Sequence, residues 1–192
     1  VVKMKHLEIE MKTLLTEEEY DRLQAQFLEV TPVTQKNYYL DTTDFYLRQH
    51  KIAMRIRTFD TSAELTIKIP QEVGNMEYNQ ALTLEEANYC LKECKLPQGM
   101  IMEELNSRGL SPNGWVVLGC LATVRYEKET AIGLMALDQS HYFDIVDYEL
   151  ELEVENCVQG NHDFQEFLRA NEIQYKKAPS KLVRFIEIMK KY

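Results

Sequence analysis

At 192 residues, with 45% apolar residues and a formal net charge of −9, the chain is long enough for one domain with a sizeable core. No apolar run approaches the roughly 18 residues of a membrane-spanning helix, and the acidic balance argues against the broad basic surface that duplex nucleic acid requires. A small anion is a different matter, since it needs only a local cluster of positive side chains.

The opening VVKMKHLEIEMK carries charges at alternate positions where a signal peptide has an unbroken apolar segment, so a cytoplasmic location is expected. Period-two alternation predicts strands over 4–15, 34–42, 52–59, 63–70, 76–83, 118–129, 132–138 and 142–155. Eight strands suffice to close a small barrel. A helix is expected over 16–28, where Thr16 and Glu19 form a T-x-x-E capping box ahead of Leu23, Phe27 and Leu28. Further helices are expected over 84–94, 98–108 and 162–171. A last one over 180–191 carries Leu182, Phe185, Ile186 and Met189 at helical spacing and should pack on the outside of the sheet. Strands with helices inserted among them, without a strict βαβ rhythm, indicate an α+β fold with an antiparallel sheet. Residues 1–192 read as a single domain. Cys90, Cys94, Cys120 and Cys157 form no C-x-x-C pair and are expected to be structural thiols.

The strands divide sharply by face. In the first, Leu7, Ile9 and Met11 point one way and Glu8, Glu10 and Lys12 the other. Arg55 and Arg57 stand opposite Met54 and Ile56; Glu64, Thr66 and Lys68 stand opposite Leu65, Ile67 and Ile69; Arg125 stands opposite Val124 and Tyr126. Glu77 either shares this ionic set or is a surface carboxylate. The strand near residue 150 places Asp147, Glu149, Glu151, Glu153 and Glu155 on one face. Carboxylates at i and i+2 lie roughly 7 Å apart, and each adjacent pair repels by about 2 kcal/mol at an effective dielectric near 20. The repulsion is relieved if Arg, Lys or divalent metal ions sit among them.

Two arrangements satisfy the pattern. One is a sheet with an open ionic face; the other is a closed eight-stranded antiparallel barrel with a charged interior and helices outside. The barrel explains more, because so polar a lumen must hold water and ions. Mixed signs in one cavity suit a polyanion such as triphosphate, gripped by Arg and Lys and bridged to carboxylates by divalent metal, and oxygen-only ligands favour Mg²⁺ or Mn²⁺.

The order of these residues resembles the CYTH superfamily, the triphosphate tunnel metalloenzymes, with a layout most similar to its bacterial YjbK-like branch. Glu8 to Lys12 resembles the family's E-x-E-x-K opening, Arg55-Ile56-Arg57 its R-x-R strand, and Glu149-Leu150-Glu151 its E-x-E strand. Lys68, Arg125 and Lys181 match its remaining bases. The resemblance implies that Lys12, Arg55, Arg57, Lys68, Arg125 and Lys181 grip a triphosphate-containing small molecule. It also implies that Glu149 and Glu151 hold metal, and that Glu8 and Glu10 hold a second metal or orient the attacking water. Ala136 falls where the family often has an aspartate, with Asp138 two residues on, so Asp138 and Glu153 join the candidate metal ligands and Glu153 could exchange roles with Glu149. The implied activity is hydrolysis of inorganic triphosphate, thiamine triphosphate or a nucleoside triphosphate. An adenylate cyclase and a non-catalytic sensor of a phosphorylated metabolite or polyphosphate are the alternatives.

Overall fold

Period-two segments bounded by turns form eight strands: β1 (Lys5–Leu15), β2 (Val33–Thr42), β3 (Ala53–Thr58), β4 (Ala63–Pro70), β5 (Asn75–Leu82), β6 (Trp115–Thr130), β7 (Gly133–Tyr142) and β8 (Ile145–Val154). The computed structural model describes residues 4–110 and 113–192. The strands close into an antiparallel barrel in the order β1-β5-β4-β3-β2-β6-β7-β8. Among the described residues six α-helices accompany them: α1 (Glu17–Gln24), α2 (Tyr46–Gln49), α3 (Leu84–Glu93), α4 (Met100–Ser107), α5 (Cys157–Ala170) and α6 (Lys181–Met189).

Two compact units make up the chain. The first comprises Val1–Leu7 and Gln35–Cys120, the second Glu8–Thr34 and Leu121–Tyr192. In the first, Met54, Ile56, Leu65, Ile67 and Tyr78 from β3, β4 and β5 pack with Ala87 and Cys90 of α3 and Ile101 and Leu105 of α4. In the second, Leu137, Leu150 and Leu152 pack with Tyr20 and Leu23 of α1 and Phe164 and Leu168 of α5. Helices therefore cover the apolar strand faces, and the alternate residues, which carry the charges, point to the inner face of the barrel.

The expected capping box of α1 is present: Glu19 N–H donates to Thr16 Oγ1 at 3.2 Å and Thr16 N–H to Glu19 Oε2 at 2.8 Å. Three of the differences from expectation have a visible local cause. Helix α2 escapes a periodicity reading because four residues show no period; the Asp41 carboxylate builds it by accepting from the Leu47 and Arg48 amides. Helix α5 starts five residues before the expected 162, capped by Asn156, whose Oδ1 accepts from Gln159 N–H at 2.9 Å. Gly160 lets the helix lie against β8: a Cβ there would meet Val154 Cγ2 at 2.5 Å. Finally, Gln139, Ser140 and His141 look like a turn but continue β7, with Ser140 buried and hydroxyl-bonded to Thr123 at 3.0 Å. The β7–β8 reversal falls at Phe143 and Asp144, where Phe143 adopts a left-handed φ of 53°.

Candidate active site

In the second unit, β8 sets Asp147, Glu149 and Glu151 in a row at alternate positions, which brings them to one face. The cations needed to relieve their repulsion come from two elements. Arg125 on β6 is opposite Asp138 on β7, and donates from Nε to Asp138 Oδ1 at 2.8 Å and from Nη2 to Asp138 Oδ2 at 2.6 Å and Glu151 Oε2 at 2.7 Å. Helix α6 supplies the other two. Lys181 Nζ lies 2.6 Å from Glu151 Oε1, 2.9 Å from Asp138 Oδ2 and 3.2 Å from Glu149 Oε1. One turn on, Arg184 donates to Asp147 Oδ2 at 3.1 Å, to the Pro179 carbonyl at 2.5 Å and to Glu149 Oε2. Tyr142 donates its hydroxyl to the same Asp147 oxygen at 2.7 Å.

These contacts split the acids electrostatically. Burial would raise Glu151, but Lys181 and Arg125 outweigh it and hold Glu151 well below the usual carboxylate range. Asp138, also against the pull of burial, is lowered by Arg125 and Lys181. Glu149 goes the other way: burial, with Glu151 adding to it, pushes it up to about 7 despite Lys181 and Arg184. Burial opposes the Lys181 ammonium too, yet Asp138, Glu149 and Glu151 raise it above the ordinary lysine value.

Beside this cluster lies a cavity of about 30 Å³ lined by Glu8, Glu10, Glu151 and Glu153 together with Arg125, Glu127, Leu134 and Ala136. It has room for a water or a small ion. Glu10 pairs with Lys12 at 2.8 Å, and register places Glu10 opposite Glu153 and Lys12 opposite Glu151.

In the first unit, Lys68 Nζ lies 3.3 Å from Glu77 Oε2, and Glu77 Oε1 accepts from Asn79 at 3.0 Å. Burial works against ionisation of Glu77, but Lys68 and Arg55 bring it down to about 2. Arg57 donates from Nε to Asn37 Oδ1 at 2.7 Å and has Glu64 at 3.8 Å.

The CYTH domain family model matches residues 6–186, nearly the whole chain, and so takes in both clusters. This chain belongs to the CYTH domain family. Among CYTH relatives, the Bacillus subtilis (strain 168) protein YjbK, named as a candidate triphosphatase, is 35% identical over 187 residues, 96% of this chain and 97% of its own length. The crystal structure of a candidate adenylate cyclase from Bacillus halodurans matches with a TM-score of 0.89 at 33% identity, covering 95% of this chain and 99% of that one. HpAC1 from Hippeastrum, a candidate adenylyl cyclase described as revealing a dominant triphosphatase activity, shares the fold with a TM-score of 0.80 at 21% identity over 94% and 96% of the two chains.

Within this CYTH chain the candidate metal ligands form two groups that share one residue. Asp138 and Glu149 gather at Lys181, Glu8, Glu10 and Glu153 line the cavity, and Glu151 belongs to both. Ala136 is opposite Glu151 and is one wall of that cavity, while Asp138 is opposite Glu149. Glu77 is buried with Lys68 and is no surface carboxylate. Arg184 escaped the sequence reading. Its signal was available: it follows Lys181 by three residues on a helix, and so shares a face with it.

The donor chemistry fits a hard divalent cation, since every acid here offers oxygen alone and Asp138, Glu149 and Glu151 crowd around a single ammonium. Among the described residues, no three acids stand together at metal-ligand spacing. The spacing around Lys181, 2.6 to 3.2 Å, is that of an ammonium group; magnesium draws its oxygens to about 2.1 Å.

Proposed function

We propose that this CYTH chain is a divalent-metal-dependent triphosphatase, acting on inorganic triphosphate or on an organic triphosphate such as thiamine triphosphate or a nucleoside triphosphate. One observation carries the reading. On the strand faces turned away from the helices, basic and acidic side chains take the places of a packed core, as the salt-bridged group of Arg125, Asp138, Glu149, Glu151 and Lys181 does. Membership of the CYTH family and the likeness to YjbK, itself named as a candidate triphosphatase, support it.

Phosphoryl transfer asks a protein mainly for positioning and charge. In this reading Lys12, Arg55, Arg57, Lys68, Arg125 and Lys181 neutralise and orient the triphosphate oxygens. Glu149 and Glu151, with Asp138 and Glu153, hold Mg²⁺ or Mn²⁺, and Glu8 and Glu10 hold a second ion or orient the attacking water. The ion, when bound, adds positive charge where phosphate charge accumulates. The whole chain, 1–192, serves as one catalytic domain. We place it in the cytoplasm, in keeping with its free cysteines; no described helix is long and apolar enough to cross a membrane.

The test is a panel of inorganic triphosphate, thiamine triphosphate and ATP assayed with Mg²⁺, Mn²⁺ and Ca²⁺. Phosphate release that falls at least tenfold in Glu10→Gln supports the reading. Cyclic AMP from ATP would replace it with the cyclase chemistry named for the Bacillus halodurans relative, and tight binding without turnover would replace it with a sensor.

A further inference from the structure

We propose that Lys181 is a resident cation of the Asp138, Glu149 and Glu151 carboxylates, exchanged for a divalent metal ion when the site loads; this rests on the metal-dependent reading above. The ammonium nitrogen lies within 3.2 Å of an oxygen from each of the three acids. All three are buried or nearly so, with side chains 0%, 0% and 12% exposed, so their charges need a positive partner at all times. A divalent ion held by the same oxygens would leave no place for the ammonium, because the two would compete for the same lone pairs and repel each other.

The neighbouring bases show why lysine is the one that moves. Arg184 spreads its planar guanidinium over Asp147, Glu149 and the Pro179 carbonyl, and Arg125 spans Asp138 and Glu151 with three hydrogen bonds. Either fork loses several directional bonds at once if displaced. Lys181 is a point charge on a flexible stem, one turn before Arg184 on α6, and its head can leave while Arg184 keeps the helix in place. The displaced ammonium is then available to an anion. Metal and triphosphate would thus favour each other's binding through one side chain, and by linkage the coupling is reciprocal.

The experiment measures Mn²⁺ affinity of the substrate-free chain by titration calorimetry, for the parent, Lys181→Met and Lys181→Arg. Removing the resident charge is expected to tighten Mn²⁺ binding at least tenfold in Lys181→Met, while Lys181→Arg, which keeps the charge, shows no tightening. Equal or weaker binding in Lys181→Met, with the parent still binding, overturns the exchange and leaves the metal-dependent reading standing. Absence of Mn²⁺ binding in the parent and both variants overturns both. Should Lys181→Met fail to fold, acetylation of the unaltered chain decides the question. Mn²⁺ is expected to raise modification of Lys181 several-fold relative to Lys177, and an unchanged ratio overturns the proposal.

Discussion

Arg125 and Asp138 face each other across the β6–β7 pair and are joined by two hydrogen bonds, of 2.8 and 2.6 Å, in a fork that leaves Asp138 wholly buried. A buried pair of this kind is costly to break from one side, because the remaining charge stays in the interior without its main partner. Arg125→Met is therefore expected to lose on the order of 3 kcal/mol of folding stability. Adding Asp138→Asn is expected to restore part of that loss. Urea unfolding of the single and double variants checks it; a double variant less stable than Arg125→Met would show that Asp138 draws its support elsewhere.

Glu77 ties stability to acid pH. Its folded value, about 2, lies below the ordinary 4.5, despite burial, because Lys68 and Arg55 favour the carboxylate. A group depressed in the folded state contributes its stability above the unfolded value and loses it as pH falls towards the folded one. The contribution, up to about 3 kcal/mol at neutral pH, is thus expected to disappear between about pH 5 and pH 2. The stability gap between the parent and Glu77→Gln, followed by urea unfolding across that range, should shrink as pH falls. A constant gap would mean that Glu77 titrates alike in the folded and unfolded chains, without the help of Lys68 and Arg55.

Helix α5 offers a packing test. A Cβ at Gly160 would sit 2.5 to 2.7 Å from three Val154 side-chain carbons. Gly160→Ala should gain helix propensity yet lose on the order of 1–3 kcal/mol by overpacking, and Val154→Ala on the same chain, which removes the two Cγ contacts but keeps Cβ, should recover part of it. Thermal melts of the three chains separate the two effects. If Gly160→Ala alone melts above the parent, helix α5 and β8 are not in close contact at Gly160 and Val154.

Much of this architecture was legible because the signals were periodic. The alternation of Glu8, Glu10 and Lys12 with Ile9 and Met11, and of Glu149 and Glu151 with Leu150 and Leu152, fixed both strand positions and inward faces, and closure of the barrel followed. What stayed hidden was local or relational. Helix α2 is made by one side chain, Asp41, capping backbone amides, and no period announces that. Helix α6 was expected to turn its apolar stripe to the sheet. It does bury Phe185 and Ile186, but its first turns also send Lys181 and Arg184 to the acids of β7 and β8, a pairing set by the tertiary fold. The grouping of six acids into two sets depends on which cation each one meets, and parity along a strand cannot reveal it.

That grouping gives the sharpest test of the candidate site. Glu151 is held by Lys181 and Arg125 and also lines the cavity with Glu8, Glu10 and Glu153, whereas Glu153 belongs to the cavity alone. If the carboxylates serve metal and phosphate as proposed, Glu151→Gln withdraws a charge from both groups and Glu153→Gln from one. Hydrolysis of inorganic triphosphate is expected to fall at least 100-fold in Glu151→Gln, about 3 kcal/mol in transition-state stabilisation, and less than tenfold in Glu153→Gln. Steady-state assays at saturating Mn²⁺, with unfolding curves showing both variants folded, make the comparison. Equal losses would mean that the cavity, and not the carboxylates around Lys181, is where the reaction is supported.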